Sequence, residues 1–166
     1  MRVLRVCLIA VLACTAFRSA VAQKFGHIDR QQLLTQMPER AVAEGRLRSK
    51  AQELDQRLIA MDTEWSAAFM IHRDADLMTE TEKAMAQKDL EELGQRIETA
   101  RTQAGQDLEN LEAELLSPIL ARMDSAITAV ATAEGYLYVF DASSGILLHK
   151  GGSDLMPLVK TKLGIQ

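Results

Sequence analysis

Side chains able to do chemistry are few and widely spaced in this chain. Its histidines are isolated from one another: His27, His72 and His149. His72 is followed closely by carboxylates, and together they have donor types found in metal sites. These carboxylates are Asp74, Asp76 and Glu80. No helical spacing places three of these side chains on one face, so the segment is predicted to be a solvated polar turn without a bound metal.

Two other residue types suggest catalysis only on first inspection. Asp141 follows an apolar stretch typical of a strand, a common location for a catalytic carboxylate. Turn-forming residues follow it, so Asp141 is predicted to accept hydrogen bonds within a turn. Ser143 and Ser144 lack the following helix that a nucleophile elbow requires. The sequence therefore predicts no catalytic residue, no cofactor and no metal, and the protein is not expected to be an enzyme.

Most of the chain is predicted to form a long helical hairpin. Apolar or small residues recur in steps of four and three along a first helix: Leu47, Ala51, Leu54, Leu58, Met61, Trp65 and Ala68. The same steps return after the polar segment at residues 74–81: Ala86, Leu90, Leu93, Ile97, Ala100 and Ala104. This alternation is a coiled-coil seam, and two seams in one chain predict an antiparallel hairpin over residues 38–133. Such an arm would project about 55 Å.

The ends of these helices also have sequence signals. Thr79 followed by Glu82 is typical of a capping box that begins the returning helix, and Gly135 is suited to ending it. Pro118 falls inside the helical pattern and predicts a kink or break near Leu116 and Ser117. Two roles stay open for Pro118: a hinge that lets the arm move, or a static kink at its root.

Short strands are predicted at both ends of the hairpin, at residues 24–29, 136–140 and 146–149, the last two forming a β-hairpin. They define a small β body from residues 23–37 and 134–166, so the fold class is α+β and mostly helical. A body with so few short strands buries little surface as a single chain. This favours oligomerisation through the body. The residues assigned to that contact are Phe25, Ile28, Tyr136, Tyr138, Val139, Phe140, Ile146 and Leu148.

The first 22 residues have the pattern of a secretory signal peptide. Positive Arg2 and Arg5 precede an apolar run, and Ala-Val-Ala at residues 20–22 suits cleavage after Ala22. Lipidation at Cys14 is a minor alternative, since residues 11–14 loosely resemble a lipobox. Removing residues 1–22 takes away three arginines and no acid, which leaves 16 basic against 23 acidic side chains, a net charge of −7. Such a chain is not expected to bind nucleic acid.

The distal half of the arm concentrates flexible and aromatic apolar residues: Met61, Trp65, Phe69, Met70, Met78 and Met85. Met61 and Trp65 lie on the seam, so their expected role is packing within the hairpin. Phe69, Met70 and Met78 fit the seam less well, and two interpretations stay open for them. They either pack within the hairpin or form an adaptable surface that binds varied apolar partners, as thioethers can.

The chain resembles the Skp/OmpH family of periplasmic chaperones. The resemblance rests on residues 24–29 (KFGHID), 37–39 (MPE), 115–119 (LLSPI) and 134–141 (EGYLYVFD), with Leu33, Leu34 and Gly164. It covers residues 25–165, and the order and spacing of these motifs carry it. The resemblance implies a homotrimer whose three arms surround a cavity. It also implies ATP-independent holding of unfolded outer-membrane β-barrel proteins in the periplasm.

One property departs from the best-known members, which are strongly basic. The net charge of −7 leaves electrostatic capture of clients and contact with membrane surfaces open. The favoured function is therefore a holdase acting through many weak apolar contacts. The alternative is a structural one, an envelope scaffold whose coiled-coil arm bridges fixed partners.

Overall fold

The fold is α+β and mostly helical, as predicted. The computed structural model describes residues 23–73 and 78–165. In chain order the elements are β1 (Lys24–Ile28), α1 (Arg30–Gln36), α2 (Pro38–Arg73), α3 (Glu80–Glu134), β2 (Tyr136–Asp141), β3 (Ser153–Asp154) and α4 (Met156–Leu163). The predicted signal peptide and the alternative lipid attachment at Cys14 lie outside the described residues.

Helices α2 and α3 pack against each other as the predicted antiparallel hairpin. Every residue assigned to the two seams is buried or half-buried, whereas most residues between them are exposed. The 36 residues of α2 correspond to a length of about 54 Å. Within the part of the chain that the structure describes, no helix has both the length and the apolar content needed to cross a bilayer.

The predicted capping box at the start of α3 is present. The Thr79 backbone N–H donates to Glu82 Oε2 at 2.7 Å, and the Glu82 backbone N–H donates to Thr79 Oγ1 at 3.4 Å. The hydrogen bonds from the Thr79 backbone and then from its side chain lower the pKa of the Glu82 carboxyl. At the other end of α3, Gly135 adopts a φ of 72°, the left-handed conformation that glycine tolerates best.

Pro118 does not break α3, which continues without interruption to Glu134. A break near Leu116 and Ser117 is therefore ruled out, whereas a kink there stays a prediction. A proline removes one backbone hydrogen bond from a helix, but packing of the surrounding turns can keep the helix intact. Here Ile119, the next residue, is buried in the main core, and Leu115 and Leu116 pack against that core.

The sheet is entirely parallel, with strand order β2-β1-β3. The predicted strand at residues 146–149, and with it the β-hairpin, is wrong, because Ile146 and Leu148 are almost fully exposed and outside any strand. The chain instead crosses to the far edge of β1, where Ser153 and Asp154 pair through their backbones. A Cβ added at Gly152 would lie 2.6 Å from the Phe25 carbonyl oxygen, so this close approach requires glycine.

A register shift in β2 determines which side chains face the body's core. Lys24 pairs with Tyr136, but the next residue, Phe25, pairs with Tyr138, so Leu137 is an extra residue. A bulge of this kind reverses the facing of the residues beyond it. Tyr136 and Val139 therefore both pack against the core although they are three residues apart. Tyr138 lies on the opposite, exposed face.

The core of the body lies under the sheet and extends onto the arm helix α3. Its largest fully buried side chains are Ile28, Leu33, Met37, Met123, Leu155 and Val159. The last third of α3 adds apolar residues at helical spacing: Ile119, Met123, Ala126 and Val130. Because one continuous helix belongs to both the body core and the hairpin, the arm is anchored to the body by packing rather than by a linker.

Arg122 ties three elements together at this junction. Its guanidinium forms an ion pair with Glu39 in the first turn of α2 and donates from Nη2 to the Leu163 carbonyl oxygen at 3.1 Å. That carbonyl is at the C-terminal end of α4, where a positive charge also interacts favourably with the helix dipole. Arg30 adds a second link, from Nη2 to Asp124 Oδ1 of α3 at 2.7 Å. These contacts add to the core packing that joins the arm to the body.

Candidate functional site

The residues considered for metal binding do not form a metal site within the described part of the chain. In residues 23–73 and 78–165, no group of three or more His, Cys, Asp and Glu side chains could hold a metal ion. Asp74 and Asp76 lie outside the described residues. His72 is in the last turn of α2, and Glu80 is at the start of α3.

Asp141 forms the turn that the sequence predicts. Its Oδ1 accepts hydrogen bonds from the Ser143 backbone N–H at 2.9 Å, the Ser143 hydroxyl at 2.6 Å and the Arg30 backbone N–H at 3.5 Å. Partial burial raises the pKa of the Asp141 carboxyl, but these hydrogen bonds and the Arg30 charge outweigh burial and lower the pKa below its ordinary value. The carboxylate therefore links the end of β2 to the following loop and to the first residue of α1.

Replacing Asp141 with alanine is expected to lower the free energy of unfolding by about 1–2 kcal/mol at pH 7, because three donors lose their acceptor. A lowered folded-state pKa means that this stabilisation is present above the unfolded pKa of about 4 and is lost as pH falls through the folded value. Urea unfolding of parent and variant at pH 7 and pH 3 measures both effects. An equal difference at the two pH values would contradict a role for the charged carboxylate.

The distal arm exposes large apolar side chains and has no buried core of its own. Between residues 55 and 96, none of the described residues is buried, whereas Leu54, Ile97 and Ala104 are buried nearer the body. Five large apolar side chains in this distal arm are between 42% and 66% exposed: Ile59, Phe69, Met70, Ile71 and Met85. Contiguous exposed apolar patches mark binding surfaces, so these side chains are candidates for one.

The six residues singled out from the sequence divide into two groups within this distal arm. Met61, Trp65 and Met78 are half-buried, which fits the packing role expected for the two on the seam. Phe69, Met70 and Met85 are exposed. Trp65 links the groups, because its ring stacks on that of Phe69 with centroids 5.2 Å apart and an interplanar angle of 12°.

Two members of this surface, Ile59 and Ile71, were not identified from the sequence. They lie off the heptad seam, and an apolar residue off the seam of a two-helix hairpin has no partner helix to cover it. Their position off the seam was therefore the sequence signal that could have identified them. Ile59 and Met70 are eleven residues apart, close to three helical turns, so they share one side of α2.

The charges of the arm are distributed as local pairs of opposite sign. Within α2, Arg40 pairs with Glu44 and Lys50 with Glu53, and Lys88 pairs with Glu92 within α3. Away from the body, Arg101 of α3 also bridges to α2, because its Nη2 donates to both carboxylate oxygens of Asp62 at 3.1 Å. Because each of these cations lies beside an acid, their fields largely cancel at distances beyond about 10 Å.

The outer face of the sheet is a second exposed apolar surface. Phe25, Tyr138 and Phe140 are exposed there, with ring centroids 6.1–6.5 Å from one another. The other residues assigned to the body contact lie elsewhere. Ile28 is fully buried, Tyr136 and Val139 face the core, and Ile146 and Leu148 lie in the exposed loop after β2.

These features define a class of protein: a small α+β body bearing a long helical hairpin whose distal part offers apolar surface. Comparison with known proteins identifies the family. The family described as "Outer membrane protein (OmpH-like)" matches residues 24–163. The Chaperone protein Skp of Pectobacterium atrosepticum is 27% identical over 135 residues, which cover 81% of each chain. The chain belongs to the Skp/OmpH family, a family of chaperones, as the sequence motifs indicated.

Proposed function

We propose that this protein is an ATP-independent periplasmic holdase that binds unfolded outer-membrane and other envelope proteins and prevents their aggregation. The observation that carries the proposal is the distal arm, where five large apolar side chains are exposed without a core beneath them. Family membership supports the same function. Location in the periplasm is part of the proposal and rests on the signal-peptide pattern of residues 1–22 together with the family.

Holding unfolded chains requires affinity for many sequences, and weak apolar contacts provide it. Methionine side chains are unbranched and polarizable, so they adapt to apolar partners of different shape. Four of the chain's eight methionines lie between residues 61 and 85. Contacts made at once by neighbouring arms would strengthen binding more than one arm alone. Once one arm holds a client, the local concentration of that client at the other arms is raised.

The proposal includes a homotrimer that assembles through the body. The exposed rings of Phe25, Tyr138 and Phe140 support it, because a cluster of exposed aromatic residues on a small body favours association. Three bodies joined in this way would place three arms around a shared space. An unfolded client would then contact several distal arms at once.

A hinge at the root of the arm is proposed as well. Pro118 is exposed in the unbroken α3 and borders an open groove of about 500 Å³ beside Val42 and Ile119. One missing backbone hydrogen bond beside open space would allow bending there at low cost. A small bend near the root would move the distal arm farthest, which suits clients of different size.

The test is aggregation of a urea-denatured outer-membrane β-barrel protein after rapid dilution, followed by light scattering. One equivalent of the assembly is expected to suppress most of the scattering without ATP. A folded helical protein of similar negative charge, at the same concentration, controls for crowding and charge. Unchanged scattering would contradict the holdase and favour the scaffold function, in which the arm bridges fixed partners.

A further inference from the structure

Four methionines of the described chain lie at opposite extremes of access to solvent, while Met61, Met78 and Met156 are half-buried. Met70 and Met85, on the two helices of the distal arm, are 51% and 64% exposed. Met37 and Met123, in the core of the body, are 2% and 1% exposed. Both cysteines precede residue 23, so after the expected cleavage the thioethers are the only sulfur groups left for oxidation.

We propose that Met70 and Met85 are sites of reversible oxidation, and that their oxidation weakens client binding. The expected effect of oxidation on client binding rests on the proposed holdase function. The oxidant is a peroxide or hypohalous acid. With hydrogen peroxide, a sulfur lone pair attacks one oxygen, the O–O bond breaks, and one sulfoxide and one water form. Sulfur loses two electrons, and the peroxide accepts them.

The local surroundings leave the two sulfur atoms open to such an oxidant. Met85 lies in the second turn of α3 among exposed neighbours, including Glu82 and Lys88. Met70 lies in the last turn of α2, and its neighbours Phe69 and Ile71 are also exposed. Susceptibility of methionine follows exposure, so these two thioethers should react while those of the body core are protected.

Oxidation changes the property on which the proposed binding depends. A sulfoxide is polar and chiral, and it replaces the flexible apolar thioether that adapts to varied partners. The two sites are exposed, so the added oxygen does not disrupt a core and the hairpin should remain folded. Methionine sulfoxide reductases, one for each sulfoxide epimer, restore the thioether. Two thiols are oxidised to a disulfide and the sulfoxide oxygen leaves as water, so the loss is reversible.

The first measurement maps the sites on the full assembly. The protein is treated with graded hydrogen peroxide under native conditions, and each methionine peptide is quantified by mass spectrometry. Met70 and Met85 are expected to oxidise at least about tenfold faster than Met37 and Met123. Equal rates in the native protein would overturn the assignment. The same treatment in urea should make all four rates similar, which confirms that the fold causes the difference.

The second measurement tests the effect on binding. Oxidised parent is expected to bind an unfolded β-barrel client about three- to tenfold more weakly, and reductase treatment should restore binding. A Met70→Leu/Met85→Leu variant, which keeps apolar side chains, should keep its affinity after the same peroxide treatment. Equal losses in variant and parent would overturn the role of these two sites. If the untreated parent fails to bind, the holdase function is contradicted, while the mapped rates still decide the modification sites.

Discussion

Replacing Tyr138 and Phe140 with glutamate is expected to convert the proposed trimer into monomers. Both side chains lie on the outer face of the sheet and are exposed in the single chain, so each chain should still fold. Within an assembly that covers this face, two carboxylates per subunit would be buried without partners. A cost of about 3 kcal/mol or more per subunit corresponds to association at least about a hundredfold weaker.

Light scattering coupled to gel filtration measures the change, with the parent expected at the mass of three chains. Val42→Glu is the matched control, because Val42 is an exposed apolar residue at the arm root, away from the sheet. It should leave the mass unchanged. A parent that is monomeric at micromolar concentration would contradict the trimer. A double variant with the parent's mass would show that another surface mediates assembly.

Val139 is unsuited to this test, although it belongs to the same strand. The bulge at Leu137 turns Val139 toward the core, where it packs against buried residues. An aspartate there would destabilise the single chain by burying a charge in apolar surroundings. Loss of assembly in a Val139→Asp variant would therefore report misfolding and would not locate the interface.

The second large effect is expected in the distal arm. Replacing Ile59, Phe69, Met70 and Met85 with glutamine should abolish most client capture while leaving assembly intact. All four are exposed, and glutamine retains good helix propensity, so the hairpin should remain helical. Losing apolar contact at four positions should remove about 3 kcal/mol of binding free energy, about a hundredfold in affinity.

Fluorescence anisotropy of a labelled unfolded β-barrel protein provides the affinity, and circular dichroism provides the helix content. The control variant carries glutamine at Val42 and Leu158, which are exposed apolar residues of the arm root and of α4. This control should bind like the parent. If both variants lose affinity equally, binding would follow total apolar surface rather than the distal arm. If neither does, the distal arm is not the binding surface.

The sequence by itself determined the helical hairpin and its ends. A seam with steps of three and four has one physical solution, a helix packed along a partner, and the spacing of Leu47–Ala68 and Ala86–Ala104 located both helices. Thr79 with Glu82, Asp141 with Ser143, and Gly135 act through hydrogen bonds or φ preferences within a few residues. Signals of such short range can be read without knowing the tertiary structure.

Only the tertiary structure decided the sheet and the exposure of the candidate sites. Strand β3 has two polar residues and pairs by backbone alone, so no side-chain pattern predicts it. The apolar residues at 146–149 instead suggested a strand that does not form. The bulge at Leu137 decides which rings face outward, and it follows from pairing with β1, more than a hundred residues earlier. Likewise, periodicity indicated that Met70 fits the seam poorly, but only the packed hairpin shows that its side chain and that of Ile59 are exposed. Long-range pairing and burial depend on what lies across the fold, which local sequence does not encode.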